Sequence, residues 1–292
     1  MEKERRMSME LISTIFSLQD MPILKQVDSF LLGHCFYATY LTASFSKNQL
    51  KQAKSFCKKN QKKLYVLVNK IFTDQELCRV QNYLSFLKDL QVDGIFFCDF
   101  AIYVMAQELQ IESLLIFYHE TFLRSASDLL TYHQLGIPKC VFSKDATLKD
   151  ICSLPLKYQS CAGIKAFGYV PIYYSKRKIL SHFFHFHSLQ KNDFAQKNLY
   201  LKEKSREEWY PIIENDSGTF IFYPQPLSYL SSIAQLKKHL SFIIFDGIFE
   251  NIDFLSHWIE IYKNVLEKEM PIPKEDLTIF STGFLLKEME LE

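Results

Sequence analysis

Short apolar runs alternate with segments of helical periodicity along the first two-thirds of the chain. Apolar runs of roughly four to eight residues that are rich in β-branched and aromatic side chains are typical of buried strands. The pattern predicts strands over residues 11–18, 29–33, 64–69, 94–99, 113–120, 139–143, 163–174 and 241–246.

The segments between these runs predict helices. Residues 47–60 form a basic helix capped by Ser46, and Thr73 begins another, with Glu76 placed to complete a capping box. Further helices are predicted over residues 101–109, 123–135, 147–153 and 249–268. Strands that alternate with helices favour a parallel sheet with helical crossovers, and the number of units favours a closed (β/α)8 TIM-barrel-like domain.

The region between the last two predicted strands, roughly residues 182–240, departs from this alternation. Its segments NLYLKEK, EEWYPIIEND and GTFIFYP are typical of a small antiparallel meander, and Asp216, Ser217 and Gly218 form a turn signal. We therefore predict a single domain over residues 1–292, with a small antiparallel β insertion at about residues 182–240 between strands 7 and 8.

Composition indicates a cellular compartment and gives no overall charge that would favour a particular partner. The 34 basic residues nearly balance the 33 acidic residues, so the net charge gives no global attraction to nucleic acid or membrane. The seven cysteines are odd in number and dispersed, which favours reduced thiols over a disulfide framework. The N-terminus MEKERRMSMELIST lacks the apolar run of a signal peptide, and no segment is long enough to span a membrane. We expect a cytoplasmic protein without a membrane partner.

In a (β/α)8 barrel, catalytic and binding groups lie at the carboxyl ends of the strands. Glu120, Lys144 and Asp145 are the candidates there for acid–base work, because paired titratable groups can exchange protons with a substrate. The alternative is that they form ion pairs that hold the rim of the barrel. Other polar or reactive residues at predicted strand ends are His34, Cys35, Asn69, Cys98, Asp99 and His119.

The stretch GYVPIYYSKRKILSHFFHFHS, residues 168–188, becomes basic after an apolar start. Lys176, Arg177 and Lys178, with His182 and His185 among aromatic neighbours, are candidates for gripping RNA phosphates. The alternative is a solvated loop. His182, His185 and His187 are also spaced so that pairs of them share a face, but a third metal ligand would have to come from elsewhere, and we predict no metal site.

Several of these segments resemble peptidase family U32, the collagenase-like protease family, in their order and spacing. The resemblance covers nearly the whole chain. It rests on LYVLVNKIFTDQEL, VDGIFFCD, IPKCVFSKDATLKDI, NLYLKEKSREEWYPIIENDSGTFIF and STGFL. In the family pattern, Lys144 and Asp145 take the places of a basic and an acidic residue.

The family's signature segment corresponds to residues 163–181, where much of its chemistry is missing. Gly168, Val170, Leu180 and Ser181 agree with the pattern, whereas Pro171 and Lys178 stand at the two cysteine places. In relatives these cysteines are thought to ligate an iron–sulfur cluster, which needs thiolates. We therefore expect no family-type cluster and predict no cofactor. After Asp246 and Gly247 the family often carries an arginine, and Ile248 stands there instead.

The resemblance implies two activities for the family: a collagen-degrading peptidase, and prephenate-dependent hydroxylation of RNA bases, including the wobble uridine of tRNA. Family members often act in pairs. Our leading hypothesis is a divergent member that forms a heterodimer with a second U32 paralogue and acts on tRNA. The alternatives are a peptidase in its own right and a non-catalytic scaffold.

Overall fold

In the computed structural model, parallel strands close into a barrel. The structure describes residues 9–189, 199–268, 270–272 and 275–287. The strands within these ranges are β1 (Glu10–Ser13), β2 (Ser29–Gly33), β3 (Lys63–Val68), β4 (Gly94–Phe97), β5 (Leu115–Tyr118), β6 (Lys139–Phe142), β7 (Ala162–Gly168), β8 (Pro171–Ser175), β9 (Leu199–Lys202), β10 (Trp209–Asn215), β11 (Gly218–Phe222), β12 (Leu227–Ser228) and β13 (Phe242–Phe245). Strands β1 to β7 and β13 form the barrel, which closes where β13 pairs with both β7 and β1. The predicted (β/α)8 architecture is confirmed.

Six helices follow barrel strands as predicted: α1 (Lys47–Lys59), α2 (Leu77–Asp89), α3 (Phe100–Glu108), α4 (Ala126–Gln134), α5 (Leu148–Cys152) and, after β13, α8 (Ile252–Lys268). Two further helices between β7 and β13, α6 (Ile179–Phe186) and α7 (Ile233–Leu236), were not predicted. Between β1 and β2 the chain forms only a 3-10 turn. Ser46 caps α1, and Thr73 and Glu76 form the expected capping box, although a 3-10 turn precedes α2. None of the helices in the described ranges has the length and apolar composition that a membrane crossing requires.

Two layers of apolar side chains hold the barrel together. The larger layer packs the outer faces of the strands against the helices, because each helix buries one apolar stripe. The smaller layer fills the interior with the inward side chains of the strands, including Tyr65, Phe96, Tyr118 and Phe242. At the amino-terminal end, the Glu10 carboxylate accepts hydrogen bonds from Ser29 and from Tyr65 at 2.8 Å, so a largely buried polar cluster lies at that end.

Strands β8 to β11 form a second, antiparallel sheet, which we call the small sheet. Three of its strands come from the predicted meander. The fourth, β8, comes from residues 163–174, which we had predicted as one strand. That strand breaks after Gly168, whose φ of +111° lies in a region that favours glycine. A Cβ there would also overlap the carbonyl oxygen of Asp246. The chain thus leaves the barrel between β7 and β8 and enters the small sheet.

One face of the small sheet lies over the carboxyl ends of the barrel strands, which we call the barrel mouth. Phe220 of β11 packs edge-on against Tyr40, with ring centroids 5.7 Å apart, and both belong to one buried cluster. The Asn215 side chain at the β10–β11 turn donates a hydrogen bond to the Thr39 carbonyl at 2.6 Å. These contacts fix the position of the small sheet relative to the barrel.

Helix α6 packs on the opposite face, where a carboxylate holds its amino terminus. Glu214 accepts hydrogen bonds from the backbone N–H groups of Leu180 and Ser181 and from the Ser181 hydroxyl. Burial raises the pKa of the Glu214 carboxyl, but the hydrogen bonds from Ser181, Thr219 and Leu180 outweigh it and leave the pKa below its usual value. An anion at the first turn also complements the helix dipole.

We expect Glu214→Gln to lower the free energy of unfolding by about 1 kcal/mol at neutral pH, because the helix terminus loses its charged acceptor. A carboxyl whose folded-state pKa is depressed stabilises the fold above its ordinary pKa of 4.5, and the effect is lost as the pH falls through the folded-state value. Urea unfolding of both proteins across this pH range should show the difference shrinking in acid. Glu208→Gln, at an exposed carboxylate, is the matched control. A difference that persists unchanged in acid would contradict the assignment.

Candidate functional site at the barrel mouth

A buried lysine lies at the barrel mouth, paired with a carboxylate. Lys165 belongs to β7 and stands beside Ile244 of β13 in the strand register. Its Nζ lies 2.8 Å from Oδ2 of Asp246 and donates to the Tyr169 carbonyl oxygen at 2.6 Å, and its side chain is only 5% exposed. The same Nζ lies 5.3 Å from the centre of the Tyr40 ring. The ammonium charge is thus compensated by a carboxylate, a carbonyl and an aromatic face.

The second oxygen of Asp246 organises the loops around it. Oδ1 accepts hydrogen bonds from the Thr42 hydroxyl at 2.9 Å and from the backbone N–H of Ile248 at 3.1 Å. Thr42 is also hydrogen-bonded to Thr14 at 2.9 Å, and the Thr14 hydroxyl accepts from the N–H of Gly247 at 2.9 Å. One carboxylate therefore joins the segments that follow β1, β2 and β13.

A second carboxylate at the mouth is shared by two tyrosines. The hydroxyls of Tyr40 and Tyr118 both donate to Oε1 of Glu120, the latter at 3.2 Å. Burial, and then the charge of Glu120, raise the pKa of both phenols well above the ordinary value. Both tyrosines therefore stay protonated and donate, and Glu120 acts as the acceptor.

The two clusters meet at Tyr40, whose ring faces Lys165 and whose hydroxyl binds Glu120. A small pocket adjoins the clusters and is lined by Thr14, Thr42, Tyr40, Tyr118 and Asp246 together with apolar side chains, whereas Lys165 and Glu120 lie behind this lining. The two clusters together contain an ammonium group, two carboxylates and two phenols in a largely buried setting. Such an arrangement can bind a polar ligand and can accept or donate a proton.

Only Glu120 in this cluster was a predicted site residue. We had noted Asp246 only for the arginine missing after it, and Lys165 was not among the predicted site residues. Lysine in the middle of an apolar strand was the available signal, because an unpaired charge is not buried there. The tyrosines carried no such signal, since the chain has 16 of them.

The other predicted acid–base candidates pair with each other. The Lys144 ammonium lies 2.9 Å from Asp145, and both side chains are largely buried. Burial, and after it the neighbouring Tyr262 hydroxyl, raise the pKa of Tyr229, which keeps that phenol protonated. Lys144 and Asp145 thus form an ion pair, as in the alternative that we considered, and their acid–base role stays a prediction.

Two of the remaining strand-end residues have identifiable local roles, and burial affects two others. Asp99 caps α3 through the N–H of Ala101 and also accepts from Phe72, and Asn69 accepts from Thr39 at 3.2 Å. Burial lowers the pKa of both His34 and His119, which disfavours protonation of either imidazole.

The cysteines at the strand ends offer little nucleophilic chemistry. The Cys98 thiol contacts the Asn69 carbonyl at 3.0 Å, and burial raises its pKa to about 12. A thiol with so high a pKa is protonated at neutral pH and reacts poorly. Cys35 is exposed, with Sγ 3.9 Å from Nδ1 of His34. Across the described ranges, no three His, Cys, Asp or Glu side chains are grouped to hold a metal ion.

The predicted RNA-binding residues divide between two places. Lys176 and Arg177 are exposed directly after β8. Lys178 lies 3.3 Å from Asp216 in an exposed ion pair. His182 and His185 are exposed on α6, on the side of the small sheet that faces away from the barrel mouth. The structure therefore separates the histidines from the mouth, and their proposed role stays a prediction.

We expect Lys165→Met to lower the free energy of unfolding by about 3 kcal/mol or more, because it leaves the Asp246 carboxylate buried without its counter-charge. Adding Asp246→Asn should recover part of the loss. Lys178→Met, which removes an exposed ion pair, is the control and should cost less than about 1 kcal/mol. Urea unfolding measures all of these variants. Equal losses of unfolding free energy in Lys165→Met and Lys178→Met would show that the buried ion pair contributes no more to stability than the exposed one.

A curated protein and a solved structure are similar to this chain over most of its length. Over 264 residues the chain is 24% identical to tRNA hydroxylation protein P2 of Bacillus subtilis (strain 168), covering 88% of this chain and 85% of that protein. Among solved structures, the U32 peptidase Mk0906 matches with a TM-score of 0.51 and 11% identity, covering 81% of this chain and 92% of that one. At this identity the structural match concerns the fold alone.

A family model matches most of the chain, including segments outside the barrel mouth. The model of peptidase family U32 matches residues 17–279. This range includes every barrel strand after β1 and the whole of the described small sheet. The chain therefore belongs to peptidase family U32.

Proposed function

We propose that this chain takes part in the hydroxylation of tRNA, as one partner of a pair of U32-family chains. The observation that carries the proposal is its similarity to tRNA hydroxylation protein P2, which spans 88% of this chain and 85% of the relative. Similarity over nearly the full length of both proteins favours a shared role more than a shared fragment would.

The need for a partner follows from the signature segment. Pro171 lies buried in β8, and Lys178 precedes α6 beside Asp216, at the two places where the family pattern has cysteine. Neither residue can supply a thiolate, so the residues present do not fit an iron–sulfur cluster of the family type. We therefore assign the redox chemistry to a second U32 chain and derive no redox step in this one.

This chain would then contribute tRNA binding and the polar barrel mouth. Lys176 and Arg177 are exposed and, within the described ranges, take part in no ion pair, so their charges are available to phosphates. The paired charges and phenols at the mouth could hold a polar group of the substrate. Prephenate-dependent hydroxylation of the wobble uridine is the specific form of this reaction that we propose.

A peptidase function has weaker support in this site. It rests on the family description and on the name of the U32 peptidase Mk0906. The Cys98 thiol is held protonated by burial, and the Lys165 ammonium is held by Asp246, so neither is an activated nucleophile.

Deletion of the gene in its native host should remove or reduce the hydroxyuridine-derived wobble nucleosides of tRNA, because the pair would lack one member. Nucleoside mass spectrometry of total tRNA measures the change, with the wild-type gene restored on a plasmid as control. Unchanged nucleosides in the deletion strain, with no redundant pathway, would overturn the proposal.

Replacing Lys176 and Arg177 together by Ala should weaken tRNA binding and lower the salt dependence of binding by about one unit of log–log slope per residue. The matched control is Lys58→Ala with Lys59→Ala, which removes the same charge at the end of α1, before β3, on the opposite side of the barrel. Binding titrations at several salt concentrations compare the two. Equal losses in both double variants would indicate attraction by charge alone rather than a site.

A further inference from the structure

The face of the small sheet that looks toward the barrel mouth carries exposed aromatic rings. The strand register shows which residues share it. Tyr174, Phe220 and Ile213 lie side by side on β8, β11 and β10. Phe220 and Ile213 belong to the buried cluster around Tyr40, so this face points toward the mouth. Tyr174 is the member of the row that remains open to solvent, at 43% exposure.

The same face continues toward the other edge of the sheet. Side chains alternate along a strand, so Pro211 and Trp209 share the face of Ile213. Their partners on β9 are Tyr200 and Lys202. Trp209 is 56% exposed and Tyr200 is 48% exposed, whereas the rings of a packed interior would be covered.

Tyr174 is held in a fixed orientation beside the mouth. Its ring stacks on Phe220, with centroids 4.7 Å apart and planes inclined by 17°, and its hydroxyl donates to the Ser217 carbonyl at 3.0 Å. A ring fixed on one side and at its hydroxyl offers its remaining surface to a flat partner with little further loss of entropy. Lys176 follows β8 directly, which places a positive charge two residues from this ring.

The far edge combines a ring with a charge in the same way. Lys202 Nζ lies 5.4 Å from the centre of the Trp209 ring. Lys202 also lies 3.3 Å from Glu207, whose side chain is 98% exposed. An ion pair this exposed is weak, so the lysine can exchange the carboxylate for a phosphate.

We propose that this face binds an unpaired stretch of RNA, with bases stacked on Tyr174 and Trp209 and phosphates held by Lys176 and Lys202. The inference rests on the proposed role in tRNA hydroxylation, which it deepens by naming single-stranded RNA as the form that is bound. Aromatic rings interleaved with cations on an antiparallel sheet are the usual means of binding unpaired bases. Strand spacing and residue rise separate Tyr174 from Trp209 by about 16 Å, so more than one nucleotide is needed to reach both.

The arrangement also brings the bound strand to the polar cluster. Tyr174 stacks on Phe220, and Phe220 packs against Tyr40, whose hydroxyl binds Glu120. A base on Tyr174 would therefore lie beside the barrel mouth, while the flanking nucleotides run toward Trp209. This order suits an enzyme pair that modifies one base within a loop.

The test compares adjacent tyrosines on opposite faces of β8. Tyr173 is 46% exposed, close to Tyr174, but it pairs with Ile221 on the other face. Binding of a fluorescein-labelled oligouridylate to the purified full chain is measured by anisotropy, with an RNA duplex of equal length as comparison. We expect Tyr174→Leu and Trp209→Leu to weaken oligouridylate binding by about 5- to 100-fold, the usual range for one lost stacking contact. Tyr173→Leu should leave it nearly unchanged.

Several results would overturn the proposal. The first is equal affinity for the duplex and the oligouridylate. The second is an equal loss of oligouridylate affinity in Tyr173→Leu and Tyr174→Leu, and the third is no oligouridylate binding by the wild type. Loss of association with a second U32 chain in Tyr174→Leu, with RNA binding intact, would make this face a protein interface. Circular dichroism and thermal unfolding confirm that each variant is folded, and Tyr174→Phe, which keeps the ring, should bind like the wild type if it folds.

The two proposals can fail separately. A deletion strain with normal tRNA, together with oligouridylate binding that depends on Tyr174, would contradict the proposed role in tRNA hydroxylation and support the proposed RNA-binding surface. A deletion strain without the modified nucleosides, together with Tyr174 and Trp209 variants that bind oligouridylate and restore the nucleosides fully, would contradict the proposed surface and support the proposed function.

Discussion

A lysine inside a barrel keeps its charge only where acceptors replace the water that it has lost. One carboxylate oxygen of Asp246 accepts from the Lys165 ammonium. The other oxygen accepts from the Thr42 hydroxyl and from the N–H of Ile248. The same carboxylate thus determines the packing of β7 and β13 and the course of the loop after β2. The shape of the barrel mouth depends on this compensated charge, because it links the segments that follow β1, β2 and β13.

Most of the barrel could be predicted from the sequence, because its strands and helices follow simple periodicities. The β3 and β6 runs, the capped start of α1 and the eighth strand all lie within one residue of the predicted positions. The first strand was predicted too long: 11–18 is apolar enough, but β1 ends at Ser13 and a 3-10 turn follows Ser17. Periodicity reports burial, and burial continues past the end of a strand.

The site was less predictable, because it depends on contacts between distant segments. Glu120 was found from its place at a strand end, but its partners Tyr40 and Tyr118 look like ordinary apolar-core tyrosines in the sequence. The run 163–174 gave no sign that it changes sheets, since its residues suit a strand throughout. The change is encoded by Gly168, where the backbone turns in a way that local propensity does not specify. Lys165 was the one visible irregularity in that run.

The contacts around Gly168 also constrain how this protein can evolve. A side chain at that position would push away the Asp246 carbonyl, and the carboxylate of the same residue holds Lys165. Positions 165 and 246 therefore cannot drift independently, although they are far apart in the chain, because losing either charge leaves the other buried alone. Position 168 is held to glycine separately, by its positive φ and by the backbone carbonyl of residue 246, whatever side chain that residue carries. Joint variation at positions 165 and 246 would trace which lineages have kept this form of the mouth.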